Sequence, residues 1–450
     1  MSPPRTHRTR RGLAALRAAF WLGAYLTLIF LPIAVLTRGF GRLGGSGWWY
    51  DLSMGLGFTG LAIMGAHFVL TARFRRATAP FGIDVIYIFH RWLAVIGVLL
   101  VVGHWLILRA RYPASLGPAW PGSAAVHMTA GRVALLLFTV ILVTSLWRRR
   151  LRHEYDHWRI GHTAMAVVGF ALSVRHVRGV AHYSGVIWNG LLFDLALATI
   201  VAIVAYVRVV KPMLLLQRPW TVEEVRAEGP EVWTLSLRPK GHPGLRFEPG
   251  QFAWLSLGVA PWRAKEHPFS FAGSAERSDA LEFTIKGLGN FTRTVGATEP
   301  GTVAYVDGPH GSFSPDRHPG ATGFVLVSGG VGVAPMMCIL RTLADRADPR
   351  PVWLVCGHRD EPGILFRDEI ETLKGRLDLH VFHVLRDPPP GWNGVIGVPD
   401  AALMARVAGE APAGSHVFLC GPVPLTDMAQ RELRRGGIPL RRIHVELFSM

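Results

Sequence analysis

The sequence predicts a membrane α-helical bundle of six spans, then an antiparallel β-barrel, then an α/β domain, and three features of its texture carry that prediction. Apolar stretches recur near 13–36, 52–72, 83–108, 129–147, 160–177 and 186–209, each compatible with about 20 helical residues crossing a bilayer. After "KPMLLLQRP" the pattern changes to short alternating runs between Gly and Pro turns. From "GFVLVSGGVGVAPMMCILRTL" onward, apolar strands alternate with helical stretches, the pattern of a parallel sheet covered by helices. The expected domains are 1–212, 213–318 and 319–450.

The totals agree with a membrane protein that carries a water-soluble part. Hydrophobic residues make up 50% of the 450, and mean hydropathy is +0.28. A net charge of +17 raises the question of nucleic acid, but no recognition motif accompanies it. The arginines cluster beside apolar segments instead, in "RTHRTRRG", "ARFRRA" and "WRRRLRH". There they set orientation and meet anionic lipid. The expected partners are therefore the bilayer and a small molecule, with no nucleic acid.

The run from Leu13 to Leu36 follows a basic start like a signal peptide, but it is longer than such a segment and no small-residue cleavage site follows it. It reads as a retained first span. The connectors 73–82 and 148–159 carry Arg73, Arg75, Arg76, Arg148, Arg149, Arg150 and Arg152, whereas 37–51, 109–128 and 178–185 are poorer in positive charge. Positive-inside logic makes this a multi-pass cell-membrane protein with its N-terminus and everything after Lys211 in the cytoplasm.

Four histidines inside the spans demand an explanation. His90 and His104 lie fourteen residues apart in the third span, on roughly one face and ~21 Å apart along the axis. His162 and His176 repeat that spacing in the fifth, a helix running the same way. His90 can then face His162 while His104 faces His176, and imidazoles approaching iron from both faces give six-coordinate haem at two levels. His67 has no partner at matching spacing and reads as a helix-to-helix hydrogen-bonding residue. His182 lies close enough to rival His176. Arg91, Arg159, Arg175 and Arg178 flank these positions and suit either haem propionates or ordinary interfacial anchoring.

In the barrel, "EHPFSFAGS" supplies His267, Pro268, Phe269 and Ser270. An aromatic such as Phe269 covers a flavin ring, Ser270 bonds diphosphate oxygens, and His267 adds a donor or charge. The loop in "IKGLGNFTRTV" follows, with Lys286, Gly289 for close backbone approach and Thr292 for a hydroxyl. "FVLVSGGVGVAP" runs a strand into Gly329, Gly330 and Gly332, with Pro335 opening a helix whose N-terminus favours a pyrophosphate. "FLCGP" ends another strand at Cys420, Gly421 and Pro422, where a nicotinamide can rest, and Phe448 in "HVELFSM" offers an aromatic to stack on flavin. Arg359, after "PVWLVCGH", stands where a cation meets a 2′-phosphate; Asp360 and Glu361 beside it oppose that, and the reading leans to NADPH over NADH. The cysteines are Cys338, Cys356 and Cys420, none in a CxxC pair, so neither structural zinc nor an iron–sulfur cluster follows from them.

With these residues in view, the chain resembles the ferric reductase and NADPH oxidase superfamily over nearly its whole length. The resemblance implies a six-helix di-haem domain, an FAD-binding barrel and an NAD(P)H-binding α/β domain like that of ferredoxin–NADP reductase. It implies electrons running from NAD(P)H through FAD and two b-type haems to an acceptor on the outer side, with Cys420 and Phe448 at the nicotinamide. Oxygen-reducing members place a histidine one turn beyond the outer third-span ligand, and here that position is Leu108. They also carry an arginine near the outer end of the second span, and "YDLSMGLGF" supplies none. A ferric or cupric chelate or another external acceptor is the implied substrate, with superoxide or hydrogen peroxide production as the alternative. A transporter with a nucleotide-sensing domain is the rival from another class, against which the absence of inverted repeats and broken helices speaks.

Overall fold

The computed structural model describes residues 19–20, 22–27, 29–30, 47–72, 83–120, 122–148, 150, 155–181, 187–263 and 265–447. The chain divides into two compact units at Pro212/Met213.

In the first unit the helices are α1 (Trp48–Thr71), α2 (Ile83–Arg111), α3 (Val126–Leu146), α4 (Tyr155–Val180) and α5 (Ile187–Ala205). A π-helical turn, Tyr206–Val210, carries α5 into α6 (Lys211–Leu216). Among the described residues, five helices are long and apolar enough to cross a membrane. The expected span at 13–36 lies largely outside the described residues; the described residues of 19–30 are helical. Pro113 stops α2 because the residue before a proline disfavours helical geometry. In a bilayer every polar group must be satisfied internally, and hydroxyls fold back onto their own helices: Thr59 donates to the Gly55 carbonyl at 2.7 Å and Thr139 to Leu135 at 2.8 Å.

The tight backbone pairs are α1 with α2 and α3 with α4. Gly60 makes the first possible, since a Cβ there would stand 2.6 Å from Val101 Cγ2. A core of Leu61, Met64, Val98, Phe138, Phe170 and Phe193 fills the bundle.

The second unit begins with an antiparallel sheet: β1 (Trp220–Gly229), β2 (Val232–Pro239), β3 (Phe252–Leu257), β4 (His267–Ser270), β5 (Leu281–Lys286) and β6 (Val303–His310), in the order β4-β3-β6-β1-β2-β5. A bridge between Phe271 and Phe283 joins the two edges, β4 and β5, and closes the sheet into a barrel. Alternating residues such as Leu235, Leu237, Phe271, Phe283 and Ile285 fill it. The short helix α7 (Asn290–Thr294) follows β5.

A parallel sheet comes next: β7 (Phe324–Gly329), β8 (Val352–His358), β9 (Leu379–Leu385), β10 (Val395–Ile396), β11 (His416–Cys420) and β12 (Ile443–Glu446), in the order β10-β9-β8-β7-β11-β12. The chain winds outward from β7 to β10 and returns to β11 on the other side of β7. Strand order thus reverses between β7 and β11, which opens a crevice at their C-terminal ends. Helices α8 (Val333–Asp345), α9 (Arg367–Lys374), α10 (Ala401–Glu410) and α11 (Val423–Arg435) cover the two faces, each over its own apolar cluster.

Arg341 of α8 ties barrel to sheet. It donates to Glu282 of β5 at 2.7 Å, to the Ala272 carbonyl at 2.8 Å, and to both Glu369 oxygens of α9 at 2.6 and 2.7 Å. Burial works against its charge, yet the Glu369 hydrogen bonds and the two carboxylates hold its pKa above the usual arginine value. Losing one partner of so enclosed a network costs about 3 kcal/mol.

Candidate functional site

In the membrane unit, α2 presents His90 and His104, and α4 presents His162 and His176. The ring centroids of His90 and His162 stand 6.2 Å apart, with the ring planes inclined at 55°. An imidazole nitrogen ligates a transition metal at about 2 Å, with the ring centre about 1 Å further out, so two rings gripping one ion from opposite sides stand about 6 Å apart. The observed separation fits that arrangement. His104 and His176 sit fourteen residues further along the same helices.

Each ring has its Nδ1 engaged. His104 Nδ1–H donates to the Ser53 carbonyl at 2.9 Å, and the Ser53 hydroxyl donates to the His104 carbonyl at 3.0 Å. His176 Nδ1–H donates to the His127 carbonyl at 3.0 Å. His162 Nδ1 lies 3.4 Å from the Ser145 hydroxyl, whose own hydrogen goes to the Ile141 carbonyl, so Ser145 is the acceptor. His90 Nδ1 meets His67 Nδ1 at 3.2 Å. With Nδ1–H held by an acceptor, as at His104, His176 and His162, Nε2 keeps its lone pair for a metal. Two glycines on neighbouring helices make room: a Cβ on Gly131 would lie 2.7 Å from His176 Nδ1, and one on Gly57 3.1 Å from His104 Nδ1.

His67 makes the helix-to-helix hydrogen bond expected of it, and the partner is His90 of α2. It thereby belongs to the His90 level, buried with its Nε2 lacking a hydrogen-bond partner among the described residues. The flanking arginines divide. Arg159 is buried, Arg91 and Arg175 are exposed, and Arg178 lies 3.5 Å from Asp194. Leu108 is buried in the apolar core. His182 and Phe448 lie outside the described residues.

In the second unit, β4 carries the "HPFS" run. Ser270 is buried and its hydroxyl has no hydrogen-bond partner among the described residues, an orphan that suits a polar ligand. His267 and Phe269, on one face of β4, both stack with Phe291, at 4.2 and 6.2 Å between centroids, forming an aromatic shelf; Pro268 between them is in register with Trp254 of β3. Lys286 ends β5. Thr292 departs from expectation: its oxygen accepts from the Leu288 and Gly289 amides at 2.9 and 2.8 Å, so the hydroxyl builds the turn.

The glycines of the crevice also gain a second meaning. Gly330 has φ +56° with open space about it, as a ligand-approach position requires. A Cβ on Gly332, however, would lie 2.3 Å from the Cys420 carbonyl, and one on Gly421 would lie 3.0 Å from the Gly329 amide. Close packing between the ends of β7 and β11 therefore demands these two glycines by itself. Pro335 is buried in the first turn of α8, and Pro422 precedes α11. Cys420 is fully buried within the apolar cluster under α8, so this strand end offers a ligand backbone rather than the thiol expected to act at the nicotinamide. Arg359 is exposed and 3.4 Å from Asp387. Sequence reasoning passed over Glu446, a buried carboxylate paired in register with Cys420 at the end of β12; an acid inside "IHVE" was its signal.

A cleft of about 660 Å³ is lined by Arg226, Glu282, Arg341, Asp345, Glu369 and Arg376, among others. It includes none of the expected site residues, and its central cation is spent on the Arg341 network, so it reads as a structural seam.

Residues 56–173 match the family described as ferric reductase like transmembrane component, and residues 326–431 match the oxidoreductase NAD-binding domain. The first match includes His90, His104 and His162 and ends just short of His176. Ferredoxin–NADP reductase B of Sorangium cellulosum is 31% identical over 236 residues, 50% of this chain and 95% of that protein. The reductase component of propane 2-monooxygenase from Mycolicibacterium smegmatis is 30% identical over 51% of this chain, which spans 66% of that relative's length. Among solved structures, the Amycolatopsis cytochrome P450 reductase GcoB is 27% identical, with a TM-score of 0.45 over 52% of this chain and 70% of that one.

Proposed function

Because the chain belongs to the ferredoxin–NADP reductase family through its second half and carries a ferric reductase-like transmembrane component in its first, we propose that this membrane NAD(P)H oxidoreductase delivers electrons through two bis-histidine b-type haems to an acceptor on the outer side. The reductase half is an FAD- and NAD(P)H-binding module. Bound FAD supplies the exchange between two-electron hydride and single electrons, and the haems supply one-electron relay across the bilayer.

The residues of the chain have positioning roles. His90 and His162 hold one haem, and His104 and His176 the other, each through Nε2. Ser270 donates to the flavin diphosphate, and the His267–Phe269–Phe291 shelf covers an apolar face of that cofactor. The Gly329–Gly332 turn and the α8 N-terminus receive the nicotinamide dinucleotide, in which NADPH is the lean. The crevice between β7 and β11 brings Gly421 to the same end of the sheet. Arginine-rich connectors put the module and both chain ends in the cytoplasm.

The 6.2 Å separation of the His90 and His162 rings carries this reading. Leu108, buried and apolar, puts no polar group one turn past His104, which favours a chelated ferric or cupric ion over oxygen. The test is an absorption spectrum of the purified protein with NADPH or NADH, followed by liposomes offered ferric citrate, cupric chelate, quinone or oxygen. Split low-spin cytochrome bands that reduce with nucleotide are expected. A colourless protein sinks the proposal.

A further inference from the structure

Beside the dinucleotide crevice, one strand out from Gly329, the ends of three parallel strands bring together side chains that the proposed electron path does not use. Cys356 of β8 is the register partner of His383 on β9 and of Ser328 on β7. His358 lies two residues beyond Cys356 and so points to the same face of the sheet. That face is largely apolar and covered by α8 and α9, with the Ser328 hydroxyl on it and Arg367, Glu371 and Lys374 of α9 close enough to act on His383.

The Cys356 sulfur and one nitrogen of each imidazole lie within 4.8 Å of one another. Both ring nitrogens of His358 and both of His383 are buried without a hydrogen-bond partner among the described residues. His358 is only 7% exposed; the Gly363 backbone comes near it without reaching hydrogen-bond geometry. Four unsatisfied nitrogens in a sheet interior oppose folding unless something binds them.

We infer that Cys356, His358 and His383 form a binding site for a zinc-class divalent cation, held by one thiolate and two imidazoles, with water in the fourth position. Tetrahedral zinc, with bonds of about 2.0 Å to nitrogen and 2.3 Å to sulfur, needs ligand atoms about 3.5 Å apart, so a small closing of the cluster suffices. On binding, the ion replaces the thiol proton, which leaves to solvent, and no electron moves. Ser328 already donates to the Cys356 sulfur at 3.3 Å and would brace the thiolate. A second histidine group, His318, His416 and His444, lacks this character: His318 stacks nearly parallel on both others, at 4.3 and 4.2 Å. His416 and His444 also share a hydrogen bond of 3.0 Å. The inferred ion would tie β8 to β9 at the base of the loop that begins with Arg359.

The experiment adds cobalt(II) to chelator-treated full-length protein in detergent and reads the thiolate-to-cobalt charge-transfer band. One equivalent should produce the band and zinc should bleach it. Cys356→Ser should abolish it, and His383→Gln should weaken cobalt binding about tenfold or more. No band in the wild type, or one undiminished in Cys356→Ser, overturns the site. Should the serine variant fail to fold, X-ray absorption at the zinc edge on wild-type protein decides: one sulfur with two imidazoles supports the site, and a shell without sulfur removes it.

Discussion

The His104/His176 level and the His90/His162 level use the same residues at the same spacing, yet their bracing differs in kind. At the first, both Nδ1–H groups end on main-chain carbonyls, of Ser53 and His127. At the second they meet side chains, His67 and Ser145. A carbonyl in a helix survives any point substitution, whereas a side-chain partner does not. The first level is therefore fixed by the fold, and the second is open to tuning by single residues.

The largest effects should come from the ligands themselves. His104→Ala and His176→Ala should each leave about half the haem per chain, read by a haemochrome assay, and abolish acceptor reduction in liposomes. Reduction of a soluble dye by NAD(P)H through the flavin should persist. Full pigment in either variant breaks the comparison at its root, because the two levels would not be haem sites.

Crowding a ligand comes next. Gly131→Ala forces His176 aside, since its Cβ would approach Nδ1 to 2.7 Å, while Gly57→Ala intrudes on His104 at a milder 3.1 Å. A metal-bound ring cannot swing away as a free one can. The expected outcome is partial haem loss in the Gly131 variant and near-complete retention in the Gly57 variant, read as pigment per chain.

Then come the side-chain braces. His67→Ala should weaken haem retention at the His90 level about tenfold, the low end for losing an outer-shell partner. Ser145→Ala should cost less, because its contact with His162 is long at 3.4 Å. Both should shift the midpoint potential of one haem and leave the other unmoved, which redox titration of the two resolved bands would detect.

The ligand spacing was legible in the sequence because fourteen residues is close to four turns, so one helix alone displays it. The braces were not, because they come from other helices whose register the sequence does not give; Ser53 is 51 positions from His104. His67 was legible as a helix-to-helix hydrogen-bonding residue, but for that reason its partner, His90, was not. The same holds in the reductase half. Strand-turn-helix texture gave away the Gly329–Pro335 turn, but the contact of Gly332 with the Cys420 carbonyl depends on β11 lying beside β7. Thr292 misled because a hydroxyl near glycines suits a ligand and a turn equally well, and the turn took it. Cys356 and His383 could not be paired without the register of β8 on β9.

The smallest effect is the most discriminating. Ser53 touches His104 twice, with its hydroxyl 3.0 Å from Nδ1 and its carbonyl 2.9 Å from the same atom. Ser53→Ala removes the hydroxyl and its bond to the His104 carbonyl, worth about 1 kcal/mol. The carbonyl that accepts from Nδ1 stays. If main-chain bracing is what holds this level, Ser53→Ala keeps its haem and potential while Ser145→Ala, the same chemical change at the other level, moves both. Equal shifts in the two variants would mean that hydroxyls set the rings at both depths and that the carbonyls are incidental.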